Sequence, residues 1–169
     1  MESIDLPRSS DHEYSCEWYL NDPKNTIKSM YNCMRFYLNS SEDPRITKMI
    51  SEAERIANDD RIWYAKKGSS DNEGYDCSGF VWHCLWHIGI NLERFGTSSM
   101  LQYMPDSIFE HYYYTGKTML KRGGILRYDG HTAIYLGKGG DEDIVDAADT
   151  ADTKYGIYIH KFNNGNKGS

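Results

Sequence analysis

Asp76-Cys77-Ser78-Gly79, followed by the apolar run Phe80-Val81-Trp82, constrains this chain more than any other stretch. A capping acid, a first-turn cysteine and apolar residues behind them predict a helix over about 77–88, ending near Gly89. Gly130-His131-Thr132-Ala133-Ile134-Tyr135-Leu136-Gly137 reads as a strand entered by a histidine and closed by a glycine. A helix N-terminus carries unpaired N–H groups and partial positive charge, which favours a thiolate over a thiol. The thiolate is the nucleophile, so Cys77 suits covalent catalysis and His131 suits the base. The two lie 54 residues apart, which is no obstacle, because such partners meet in space.

The rest of the chain reads as α+β. Asp22-Pro23 and Asp43-Pro44 each place an acid before a proline that suits the first turn of a helix. Ile27, Met30, Tyr31, Met34, Tyr37 and Leu38 then recur at helical spacing, as do Ile46, Met49, Ile50, Ala53, Ile56 and Ala57. Two amphipathic helices are predicted, over about 23–39 and 44–58, to cover a sheet or form an accessory lobe. Residues 59–75 form a polar loop, and a short helix runs from Ser98 to about Tyr103, before Pro105. Strands are expected near 117–121, 124–128, 131–137, 143–147 and 156–162. The division expected is an N-terminal arm and helical extension over 1–58, a core over 59–162 and a linker-like tail over 163–169. No internal repeat is visible.

The net charge of −6 and pI near 5.5 argue against nucleic acid or an anionic membrane as main partner. With 14 tyrosines the chain is no disordered acidic segment, despite a mean hydropathy of −0.71. No apolar run approaches the roughly twenty residues of a membrane span, and the N-terminus has no basic, apolar signal pattern. Synthesis in the cytoplasm with reduced thiols is the expectation. Cysteines stand at 16, 33, 77 and 84 without Cys-x-x-Cys spacing, so zinc and thioredoxin-type readings are weak. His83 and His87 lie four apart without a visible third ligand, which favours a surface pair over a metal site. Cys84, on nearly the same helix face as Cys77, reads as core, and Tyr112-Tyr113-Tyr114 as strand or core.

The two blocks around Cys77 and His131 resemble the signatures of the NlpC-type cysteine peptidases, papain-like enzymes that cut bacterial cell-wall peptides. Arg94-Phe95-Gly96-Thr97-Ser98-Ser99 resembles the family's Arg-Thr-Ser segment, and Leu120-Lys121-Arg122-Gly123-Gly124-Ile125-Leu126 its Leu-Lys-x-Gly-Asp strand. The resemblance covers roughly residues 60–150. It implies a papain-like fold, an antiparallel sheet with the nucleophile helix packed on it, and no metal or organic cofactor. Asp146, in Ile144-Val145-Asp146-Ala147-Ala148, resembles the family's third position, which orients the imidazole; Asp141, Glu142, Asp143 and Asp149 are rivals. Tyr64, Asp76 and Ser78 fall where the family contacts substrate, the last two also being good helix caps. Two departures stand out: Ile62-Trp63-Tyr64-Ala65-Lys66-Lys67-Gly68 replaces the family's Tyr-x-x-Gly-Gly, and Gly124 stands where aspartate is common.

The implied activity is hydrolysis of a peptidoglycan amide, most simply by an endopeptidase of the stem peptide. An N-acetylmuramoyl-L-alanine amidase of phage-lysin type, a thioester-using transpeptidase or acyltransferase, and a non-catalytic wall-binding virion module are the alternatives. A signal-less wall hydrolase is expected to act after lysis, by holin-type release or on a virion, with a wall-binding domain possible beyond residue 169.

Overall fold

In the computed structural model, residues 34–38, 43–113, 121–128, 130–138, 142, 144–148 and 156–160 are described. They form an α+β unit: helices packed on a six-stranded sheet in which every neighbouring pair is antiparallel. In chain order the elements are β1 (Met34–Leu38), α1 (Arg45–Ala57), the two-residue strands β2 (Ser69–Ser70) and β3 (Gly74–Tyr75), and α2 (Cys77–His87). A 3-10 turn (Thr97–Ser99) leads into α3 (Met100–Tyr103). The remaining strands are β4 (Phe109–Tyr113), β5 (Ile125–Tyr128), β6 (His131–Tyr135), β7 (Ile144–Ala148) and β8 (Gly156–His160). The sheet order is β4-β1-β5-β6-β7-β8, and β2 and β3 pair separately.

α1 forms as its spacing predicts. Asp43 stands just before it and accepts from Arg45 N at 2.9 Å, and Ile46, Met49, Ile50, Ala53 and Ile56 are buried. α2 buries Phe80, Val81, Cys84 and Leu85 and packs on β6, β7 and α1. One core joins these faces with Phe36, Phe95, Met100, Met104, Phe109, Ile134 and Val145.

The predicted helix over 23–39 is corrected where it can be seen. Residues 34–38 are a strand, lying between β4 and β5; 23–33 fall outside the described residues. Phe36, Tyr37 and Leu38 are consecutively buried, as an interior strand requires and a one-sided helix forbids. The helical spacing of Met34, Tyr37 and Leu38 is equally that of a short, wholly buried run. The strand expected over 117–121 lies outside the described residues except at Lys121, which is not in a strand. The strands expected from 124, 131, 143 and 156 onward appear as β5, β6, β7 and β8. Tyr112 and Tyr113 lie in β4, while Tyr114, the tail over 163–169 and most of the turn after Gly137 fall outside the described residues.

β1 also accounts for Gly124. A Cβ built there would lie 2.6 Å from Tyr37 Cε1, so the tyrosine ring occupies the space an aspartate would need. Among the described residues, no helix is long and apolar enough to cross a membrane.

Candidate active site

Cys77 is the first residue of α2 and is part-exposed. Its position is set by the residue before it. Asp76 is extended, with φ −89° and ψ 179°, and its Oδ1 accepts from Gly79 N at 2.7 Å, capping the helix. Its Oδ2 accepts from Lys67 N at 2.9 Å, and its own N–H donates to Gly68 O at 3.1 Å. The loop before Cys77 is thereby bound to the helix start. The approach is close enough that a Cβ on Gly79 would fall 1.9 Å from Gly68 O, which is why glycine follows Ser78. Lys67 adopts φ +64° to make this turn.

β6 and β7 bring the other two residues. His131 opens β6 and is 5% exposed; Asp146, at the centre of β7, is 1% exposed. His131 Nε2 lies 2.8 Å from Asp146 Oδ2. Cys77 also acts on the ring, raising its pKa, and with Nε2 committed to Asp146, Nδ1 is the nitrogen left for sulfur. Burial alone disfavours a charged imidazole. The hydrogen bond that the ring donates to Asp146, then the interaction with Cys77, outweigh it and raise the His131 pKa to about 10. The three residues singled out for nucleophile, base and orienting acid are therefore brought together around one imidazole.

The remaining residues divide. Ser78 is buried, and its Oγ donates to Asp76 Oδ1 at 3.3 Å and accepts from Arg94 Nη1 at 3.1 Å. Tyr64 is half-buried, and its main chain bridges in parallel to Tyr75, two residues before Cys77. Asp76 faces inward: Gly79 N, Lys67 N, Ser78 Oγ and Arg94 Nη2, the last at 2.7 Å, all point at its carboxylate.

Three features were not foreseen. Arg94 belongs to a segment noted only for its likeness, and it proves to clasp both residues flanking Cys77. Glu52 lies on the apolar face of α1, 6% exposed, and takes both Arg55 Nε at 2.8 Å and Nη2 at 2.9 Å. It also meets His83 Nε2 at 2.6 Å and His87 Nδ1 at 3.8 Å, so these histidines face a carboxylate on α1 and are no free surface pair. The Arg55 pair, with help from His83, holds the Glu52 carboxyl down at about 2 against its burial. Arg55 continues to Asp71, which accepts from Tyr75 Oη at 2.6 Å. The visible signal was a charge inside a helical apolar stripe, three residues after Met49 and four before Ile56.

Cys84 is fully buried, and burial pushes its thiol well up, as suits an inert core residue. Among the described residues, no group of three or more His, Cys, Asp or Glu side chains is arranged to hold a metal ion.

The line has the components of nucleophilic acyl chemistry: sulfur at a helix N-terminus, an imidazole beside it and a buried carboxylate behind the imidazole. No family model matches this chain, and comparison with the curated proteins gives no match either.

Proposed function

We propose that the chain is a peptidoglycan hydrolase of papain-like, NlpC-type architecture that cuts an amide of the wall stem peptide through Cys77. The observation that carries this is the Cys77–His131–Asp146 line, with sulfur at the head of α2 and the base held 2.8 Å from a buried carboxylate. The likeness of the two sequence blocks to wall peptidases supplies the substrate class.

In this reading Cys77 Sγ attacks the scissile carbonyl carbon as thiolate, with His131 as imidazolium. The oxyanion forms in the first turn of α2, where backbone N–H groups lack helical acceptors, so the Cys77 N–H is a donor by position. Tyr64, on the neighbouring segment, is the second donor or a wall of the groove. Collapse of the tetrahedral species breaks the C–N bond; the amine leaves with the proton from His131, and a thioester remains. His131 then takes a proton from water, hydroxide attacks the thioester carbon, and a carboxylate and the thiolate are released. Asp146 holds the ring and stabilises its charge in both halves. No step calls for a metal or organic cofactor. The protein acts on the wall after lysis, through holin-type release or from a virion, without nucleic acid as partner.

One observation favours a second reading of the bond cut. With four donors already on it, the Asp76 carboxylate offers little to a free terminal ammonium. A stem peptide still joined to the glycan has no such ammonium, so intact wall suits this site, and the muramoyl-L-alanine amide comes within reach. An amine in place of water would make the enzyme a transpeptidase.

Digestion of purified walls of several chemotypes, with mass spectrometry of the soluble products, tests the proposal. New amino termini within the stem mean endopeptidase, free L-alanine termini with an intact lactyl group mean amidase, and joined peptides mean transfer. No product from any wall refutes the hydrolase and leaves a wall-binding role.

A further inference from the structure

The first turn of α2 contains an electrostatic conflict. Asp76 caps the helix and ties down the Lys67–Gly68 turn, so the fold uses its carboxylate. That carboxylate stands one residue before a sulfur that must itself carry negative charge to attack. A like charge at such range suppresses ionisation of its neighbour by about tenfold or more. A neutral cap such as serine or asparagine would avoid this, yet the chain has aspartate.

Arg94 answers the conflict. It lies in the loop after α2, and its guanidinium reaches back to the helix start. Nη2 donates to Asp76 Oδ1 at 2.7 Å and Nη1 to Ser78 Oγ at 3.1 Å, so it grips the residues on either side of Cys77. Nη1 also donates to the Phe95 carbonyl, and Nη2 reaches Gly68 O at 3.5 Å. The side chain is only 29% exposed, so solvent screens this charge incompletely. Nε is buried and has no partner among the described residues, although a guanidinium held only for packing would have its donors met. Among the described residues, His131 from β6, with Asp146 behind it, also bears on Cys77. They serve the base; neither meets Asp76.

We propose that Arg94 is a positioning residue whose charge cancels that of Asp76, allowing an acidic helix cap and a nucleophilic thiolate to occupy adjacent positions. This rests on Cys77 being the nucleophile, and it adds a role for a residue outside the Cys77–His131–Asp146 line.

The test is the pH profile of Cys77 alkylation by iodoacetamide, read by fragmentation mass spectrometry that separates Cys77 from Cys84 on the same tryptic peptide. It needs no wall substrate. Arg94→Gln is expected to slow alkylation about tenfold near neutral pH, the difference closing in alkali as the thiol ionises regardless. Arg94→Lys is expected to restore most of the rate, because charge matters more than the fork. Asp76→Asn placed on Arg94→Gln is expected to recover the rate, because the stranded carboxylate is gone. A purely structural role would slow alkylation equally at every pH and would not be relieved by the second substitution. An Arg94→Gln profile superimposed on a fast wild type, or a double variant as slow as the single one, overturns the proposal. A wild-type Cys77 no faster than an ordinary thiol sinks the nucleophile reading instead.

Discussion

Asp146→Asn separates a buried, working pair from an incidental contact, and its size follows from the geometry. His131 and Asp146 are 5% and 1% exposed and 2.8 Å apart. Burial works against the imidazolium, yet its hydrogen bond to Asp146 and the interaction with Cys77 carry its pKa from 6.5 to about 10. A histidine raised in this way stabilises the fold fully below its unfolded value of 6.5. That stability is lost as pH rises from there through about 10. At about 1.4 kcal/mol per pH unit, the raised pKa as a whole contributes on the order of 5 kcal/mol below pH 6.5. Breaking a buried ion pair by removing one partner costs about 3–5 kcal/mol, in agreement. In Asp146→Asn the largest interaction favouring the imidazolium is gone, burial is opposed by Cys77 alone, and most of this linkage is lost. The assay is urea unfolding of wild type and variant at about pH 6 and about pH 10, taking the difference between the two proteins so that other titrations cancel. The account predicts that the variant is less stable by about 3–5 kcal/mol at the lower pH, and that the gap nearly closes at the higher. A gap that is the same at both pH values, within about 1 kcal/mol, refutes the reasoning.

Gly79→Ala is expected to cost about 2–3 kcal/mol and to displace the head of α2, because the new methyl would stand 1.9 Å from Gly68 O, a backbone atom with little room to yield; thermal unfolding and the wall-digestion rate read both effects. Glu52→Ala should destabilise by about 2–3 kcal/mol near neutrality. The wild-type carboxyl is held at about 2 rather than its usual 4.5, so its stabilisation is present above 4.5 and lost as pH falls toward 2. An acid-unfolding curve of the variant parallel to that of wild type would contradict the role assigned to Glu52. Gly124→Asp, which restores the residue common in the resembled family, should destabilise by about 2 kcal/mol or more, since the Tyr37 ring already fills the space; a neutral thermal midpoint would show that the ring moves aside.

What was legible in the sequence was local. The helix at Cys77, its aspartate cap and the histidine-headed strand are short-range patterns, and the structure has each where the pattern placed it. Asp146 stands out among several acids only by its resemblance to the family's third position, and burial sets it beside His131. The long-range features were hidden. Nothing local tells that residues 34–38 insert between β4 and β5, because Met34, Tyr37 and Leu38 satisfy a helical period and a buried strand alike. Glu52 is masked by the strength of its helix, because one acid does not disturb the period of the apolar stripe around it. Arg94 has no period at all; only the return of the chain after α2 brings its guanidinium to Asp76.

The central claim is that Cys77 makes and breaks the acyl bond, and replacing that sulfur tests it most directly. Release of new amines from purified peptidoglycan would be compared between wild type and Cys77→Ala at matched, folded concentrations. The account predicts a fall of about a thousandfold or more in the variant, with no defined new terminus in its products. Hydrolysis by Cys77→Ala within about tenfold of wild type, at the same bond, would contradict it.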